Sequence, residues 1–166
     1  MRGEPVAEAA ARFGGPTPEE IDRRLRDAAA DPQRAEALLL EALELDSECL
    51  PVYFALYKFY FYRSRLDEAE HITVAALATA ARQGRFPADW RTLSTDSAAW
   101  SPADGPIRFF LFSLKALAFI KLRRGAKEEA QAILAKLHEI DPADQVGATV
   151  IRDIAAGATP QQEAVL

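Results

Sequence analysis

The chain is 166 residues long, 49 % hydrophobic and 27 % charged, with a formal net charge of −5; this is ordinary for a soluble globular protein and long enough for one domain with a continuous core. The acidic balance excludes an overall basic field of the kind that holds nucleic acid. No membrane span is expected either, because the most apolar run, residues 107–122, is interrupted by Arg108, Lys115 and Lys121, whereas a span needs about 20 apolar residues.

Residues 1–15 read as a flexible leader. They lack an apolar core of signal-peptide length, carry Glu4 and Glu8, and end in Gly14-Gly15, so the expected location is the cytoplasm. Thr17-Pro18-Glu19-Glu20 is a helix start, with Thr17 as the cap, Pro18 at the first helical position and Glu20 reaching back. That helix runs to about Ala30 and buries Ile21, Leu25 and Ala28 or Ala29. Asp31-Pro32 opens a second helix to about Leu45, with Ala35, Leu38, Leu39, Ala42 and Leu43 at helical spacing. The third helix, to about Ser64, is aromatic nearly all the way round: Tyr53, Phe54, Tyr57, Phe59, Tyr60, Phe61 and Tyr62. A helix apolar on every side must be covered by something, whether a loop, a second copy or a partner.

The fourth helix, from Asp67 to about Gln83, ends at Gly84 and offers a small side of Ala69, Ala75, Ala76 and Ala80. Residues 84–105 break the pattern with Gly84, Pro87, Pro102, Gly105 and both tryptophans, Trp90 and Trp100. An insert this long is functional or disordered, and two indoles argue for packing on the helical body, with a short helical turn at 87–93. A fifth helix runs from Pro106 to about Arg124 and stops at Gly125. A sixth spans Lys127 to about Ile140, and Asp141-Pro142 opens a seventh that ends before Gly157. Residues 158–166 read as a flexible tail.

Three second-helix segments superpose in sequence: RAEALLLEALELDSE, EAEHITVAALATAAR and EAQAILAKLHEIDPA. Their leading alanines are Ala35, Ala69 and Ala130; the first interval is 34 residues, and the second is longer by 27. A period of 34 with two helices per unit is the signature of tetratricopeptide repeats. On Ala35, Ala42 and Leu43, on Ala69 and Ala76, on Ala130, Leu137 and Asp141-Pro142, and on Tyr53, Leu56, Tyr57, Tyr60, Leu114, Leu117 and Ala118, the chain resembles the tetratricopeptide-repeat (TPR) family over residues 16–157. The resemblance implies an all-α, right-handed α-α superhelix of about seven helices, three repeats with a capping helix. It departs from the family in the polar first helix (Glu19, Asp22, Arg26), in the insert at 84–105 and in the lone seventh helix.

In that family the first helix of each pair lines a concave face. The resemblance therefore implies a peptide-binding groove formed by Phe54, Lys58, Phe61 and Tyr62 on the third helix and Phe112, Lys115, Phe119 and Arg123 on the fifth. Steps of three, four and seven place each set on one stripe. The plain alternative is that these aromatics are core. A carboxylate-gripping subclass of the family needs asparagine, which this chain lacks. Glu68-x-x-His71 has the spacing of di-iron bundles, but the other histidine, His138, follows Ala135 rather than a carboxylate at that spacing. One cysteine, Cys49, and two distant histidines make no zinc site, and Cys49 reads as a small packed residue. The basic cluster Lys121, Arg123 and Arg124 reads as the solvated end of the fifth helix. No phosphate loop, nucleophile elbow or paired-cysteine motif occurs.

The expected function is a non-catalytic protein-protein interaction module, an adaptor or chaperone-like protein without cofactor or metal. Its partner would be a protein or peptide that is apolar with acidic residues, with no nucleic acid and no membrane involved. A homodimer through the aromatic face is one alternative, and a helical ligand-binding protein or enzyme with the Trp90/Trp100 insert as lid is another.

Overall fold

In a computed structural model, which describes residue 13 and residues 15–157, the helical periodicity becomes seven α-helices, with no strand among the described residues. They are α1 Glu19–Ala30, α2 Ala35–Leu45, α3 Leu50–Tyr62, α4 Leu66–Gly84, α5 Gly105–Arg123, α6 Lys127–Ile140 and α7 Thr149–Ala155, with a 3-10 turn at Trp90–Thr92 inside the insert. The rest of the leader and the tail at 158–166 lie outside the described residues.

Each helix packs on its predecessor, and in addition α3 packs on α5 and α5 on α7. The small faces of α2, α4 and α6 are buried. Ala35, Ala69 and Ala130 are all buried, as are Ala42, Ala76 and Leu137. The methyl groups of the five alanines let neighbouring helices approach closely, as dense interiors require. The core is continuous from Ile21 and Leu25 on α1 to Ile151 on α7. Its largest fully buried side chains include Tyr57, Phe109, Phe110 and Leu111.

Two local expectations, at Thr17 and at Asp141-Pro142, are corrected. Thr17 does not cap α1; its hydroxyl has no partner among the described residues, and the Pro18 carbonyl takes the Ile21 and Asp22 N–H groups instead. The fourth helix ends at Gly84 as expected, and it is Arg85 after it that adopts the left-handed conformation. Gly84 is needed for space, since a Cβ there would lie 2.4 Å from the ring of Phe86. Asp141-Pro142 does not open α7. Asp141 Oδ1 accepts the Gln145 N–H and side-chain amide, which holds 141–148 as turns with Asp144 and Gly147 at positive φ, and α7 begins only at Thr149.

The insert is built onto the body. Trp100 is buried, with its ring against Phe86 and Phe110, and its indole N–H donates to the Ser94 carbonyl at 2.9 Å. Gln145 reaches from the α6–α7 loop to bind both the Trp100 carbonyl and the Ala103 N–H. Lys136 on α6 donates to the Leu93 carbonyl. Asp104 receives the Gly105 N–H at the start of α5.

Candidate functional site

The face between α3 and α5 is made by two helices that contain no aspartate or glutamate. Their ionised residues are Lys58 on α3 and Arg108, Lys115, Lys121 and Arg123 on α5. The acids of this net-negative chain sit on the other helices, for example Glu36 on α2, Asp67, Glu68 and Glu70 on α4, and Glu128 and Glu129 on α6. The formal side-chain charges on these two helices are therefore all positive, on a chain whose net charge is negative.

Aromatic rings pave the same face. Phe61 and Phe119 lie 5.0 Å apart between centroids, and the Arg123 guanidinium sits 5.3 Å over Phe61. Seven residues earlier on each helix are Phe54 and Phe112. They do not meet directly; both pack on Phe13, at 5.4 and 5.7 Å, and Phe109 completes the cluster at 4.9 Å. Equal seven-residue steps bring Phe54 and Phe61 into register with Phe112 and Phe119, so α3 and α5 run side by side in the same direction. The Lys58 ammonium stands 4.7 Å over Phe54, where a cation gains from the ring quadrupole.

The eight residues expected to line a groove thus fall into three groups. Phe54, Lys58 and Phe112 are partly buried, and Arg123 and Tyr62 are exposed. Phe61 and Phe119 are buried and form the floor. Lys115 is corrected: it is only 5 % exposed, and its ammonium donates to the Val146 carbonyl at 2.8 Å. It joins α5 to the loop before α7 instead of presenting a charge to solvent. The sequence reading missed Phe13, Phe109 and Arg108. Phe13 is a lone aromatic in the leader, with no periodic partner to mark it.

The insert does not cover this face. Trp100 packs on Phe110, while Trp90 is half buried beside a cleft of about 330 Å³ lined by Val74, Leu77, Leu117, Ile133 and Lys121. Burial alone would lower the Lys121 ammonium, but hydrogen bonds to Glu70 and Glu129 reverse this and raise it. Both carboxylates are within ion-pair distance, at 2.6 and 2.9 Å. At the far end of α3, Arg65 makes a two-pronged bond to Glu36 at 2.7 and 3.0 Å, and Tyr60 donates to the same carboxylate. The Arg65 bond holds Glu36 below the usual carboxylate range. These networks pair cations with acids across helices.

Burial pushes the Cys49 thiol up to about 11, so at neutral pH it is a thiol and not a nucleophile. His71 and His138 are exposed. Among the described residues no group of three or more His, Cys, Asp or Glu side chains is arranged to hold a metal ion, and no helix is long and apolar enough to cross a membrane.

A comparison with curated proteins finds an uncharacterized 19.8 kDa protein in the 5′ region of nifW of Azotobacter chroococcum mcd 1. It is 32 % identical over 124 residues, 74 % of this chain and 70 % of the relative. No family model matches the chain. No solved structure matches it.

Proposed function

The chain belongs to the family of this Azotobacter chroococcum protein, and from that premise we propose that it is a non-catalytic interaction module, a TPR-like right-handed solenoid that binds a protein segment on the α3/α5 face. The single observation that carries the reading is the coincidence of charge and rings. Two helices in parallel register, devoid of acids, set Phe54, Phe61, Phe112 and Phe119 among Lys58 and Arg123 on a chain of net charge −5. The packing of α3 on α5 and α5 on α7, with buried alanines at the repeat-equivalent positions, supports the solenoid reading. The partner is an apolar segment with acidic residues, drawn in by these cations and held by ring contacts.

The test is affinity capture from native lysate with mass-spectrometric identification, followed by binding of the captured segment to the double reversal Lys58→Glu with Arg123→Glu. The reversal is expected to leave the helical spectrum unchanged and to weaken binding at least tenfold, about 1.4 kcal/mol, with wild-type binding falling as salt rises. Unchanged affinity in the double variant would remove this face as the binding surface. The relative lies in the 5′ region of nifW, so the nifW product is the first defined bait to try. A concentration-dependent dimer with no captured protein would favour self-association through the aromatic face.

A further inference from the structure

The slot between Phe54, Phe109 and Phe112 already holds a side chain, that of Phe13. Its ring meets Phe109 and Phe112 edge-on, with interplanar angles of 77° and 75°, and Phe54 at a tilt. Phe13 is only 5 % exposed, and among the described residues its ring contacts are with these three rings. No hydrogen bond between described residues joins Phe13 or Gly15 to the helices. Gly15 has φ +128°, a backbone state that favours glycine, and a Cβ there would meet nothing within 4 Å. The ring is an apolar anchor seated in a slot formed by both helices of the proposed binding face.

The rim of the slot is cationic. Lys58 stands over Phe54, and the Arg108 guanidinium is 5.8 Å from Phe112. The Arg108 Nε–H is buried, with no acceptor among the described residues. A buried donor without a partner costs free energy until an acceptor arrives, and a carboxylate beside an aromatic anchor would supply one.

We propose that Phe13 is a built-in competitor: the partner segment anchors through an aromatic side chain with a neighbouring carboxylate, and it takes the slot that Phe13 holds. This rests on the α3/α5 face being the binding surface. It adds the identity of the anchor and makes binding depend on the departure of Phe13. An occupant that must first leave scales the apparent affinity down to the intrinsic affinity multiplied by the fraction of molecules in which the slot is open.

The probe is a fluorescently labelled synthetic peptide copying residues 4–16 of this chain, titrated into full-length wild type, Phe13→Ala and Phe13→Leu. The peptide should bind Phe13→Ala at least tenfold more tightly than wild type, with Phe13→Leu between them. A peptide with alanine in place of its phenylalanine should not bind. The segment captured from lysate should show the same gain with Phe13→Ala. Circular dichroism reports whether each variant folds, and Phe13→Leu carries the comparison if Phe13→Ala does not. Equal affinities for folded wild type and variants would overturn the proposal and make Phe13 a core residue only. A wild-type dimer abolished by Phe13→Ala would also overturn it, since a second copy would then be the occupant. If the Lys58/Arg123 reversal weakens capture while Phe13→Ala gains nothing, only the competitor proposal falls. If Phe13→Ala gains while the reversal has no effect, the slot stands and the wider face is lost as the partner site.

Discussion

The three alanines that align in sequence offer the sharpest stability test, because they ask whether Ala35, Ala69 and Ala130 occupy the same structural position. Ala69 and Ala130 are 0 % exposed and Ala35 is 4 % exposed. Each lies in the first turn of its helix, on the side packed against a neighbour. Replacing the methyl by the isobutyl group of leucine forces extra carbon into a site with no free volume, which costs about 1–3 kcal/mol in a packed core. For a domain of this length, 1 kcal/mol moves the melting temperature by about 2–4 °C, so each substitution should lower it by about 2–12 °C. Controls on the same helices are Ala37→Leu, Ala78→Leu and Ala132→Leu, all at exposed positions, where changes should stay within about 0.5 kcal/mol. Differential scanning calorimetry of the six variants gives the answer. If Ala69→Leu melts with Ala78→Leu, the close-contact argument fails; if one alanine of the three behaves like its control, that segment is not equivalent to the others.

Three further outcomes follow from particular contacts. Trp100→Ala should cost about 3–5 kcal/mol, the usual range for losing a large buried aromatic, and acrylamide should quench half-buried Trp90 much more readily than Trp100; equal quenching of the two would refute the docking of the insert. Glu36 is held below its usual value by Arg65, so its contribution to stability is present above the unfolded carboxylate value near 4.5 and is lost as pH falls through the lower folded value. The urea midpoint of wild type should therefore drop more steeply than that of Glu36→Gln between pH 5 and pH 3 (about the carboxylate range), and parallel acid limbs would contradict the role of this pair. Cys49, buried and shifted to about 11, should resist iodoacetamide at pH 8 in the native chain and react at the rate of a model thiol once unfolded; fast native labelling would refute the burial argument.

The helices were legible because their signals are local. The alanines at 69, 76 and 130 mark close packing through size alone, and periodicity placed α6 at Lys127–Ile140, where the structure has it. What escaped is set by long-range geometry. Asp141-Pro142 has the same local form as Asp31-Pro32, yet its carboxylate is taken by Gln145, and no local rule ranks that competitor. Lys115 shares a stripe with Phe112 and Phe119, and the periodicity carries no sign of the Val146 carbonyl that draws it inward. Phe13 is a single aromatic whose ring partners lie 41, 96 and 99 positions away. A lone residue has no period, so its role in the candidate site appears only when α3 and α5 are set side by side.

Gln145 has a consequence for how this family can vary. One amide side chain bonds the Trp100 carbonyl, the Ala103 N–H and Asp141 at once, while Lys136 pins Leu93 from the next helix. The insert is thus riveted at its middle and near its end, and a length change between residues 100 and 105 would pull the rivets out of line. The exposed tip at Thr95–Asp96 lies between them, and chain added there would bulge into solvent without loading either joint. Insertions and deletions among relatives should therefore collect at that tip, and Gln145 should persist wherever the tryptophan at position 100 does.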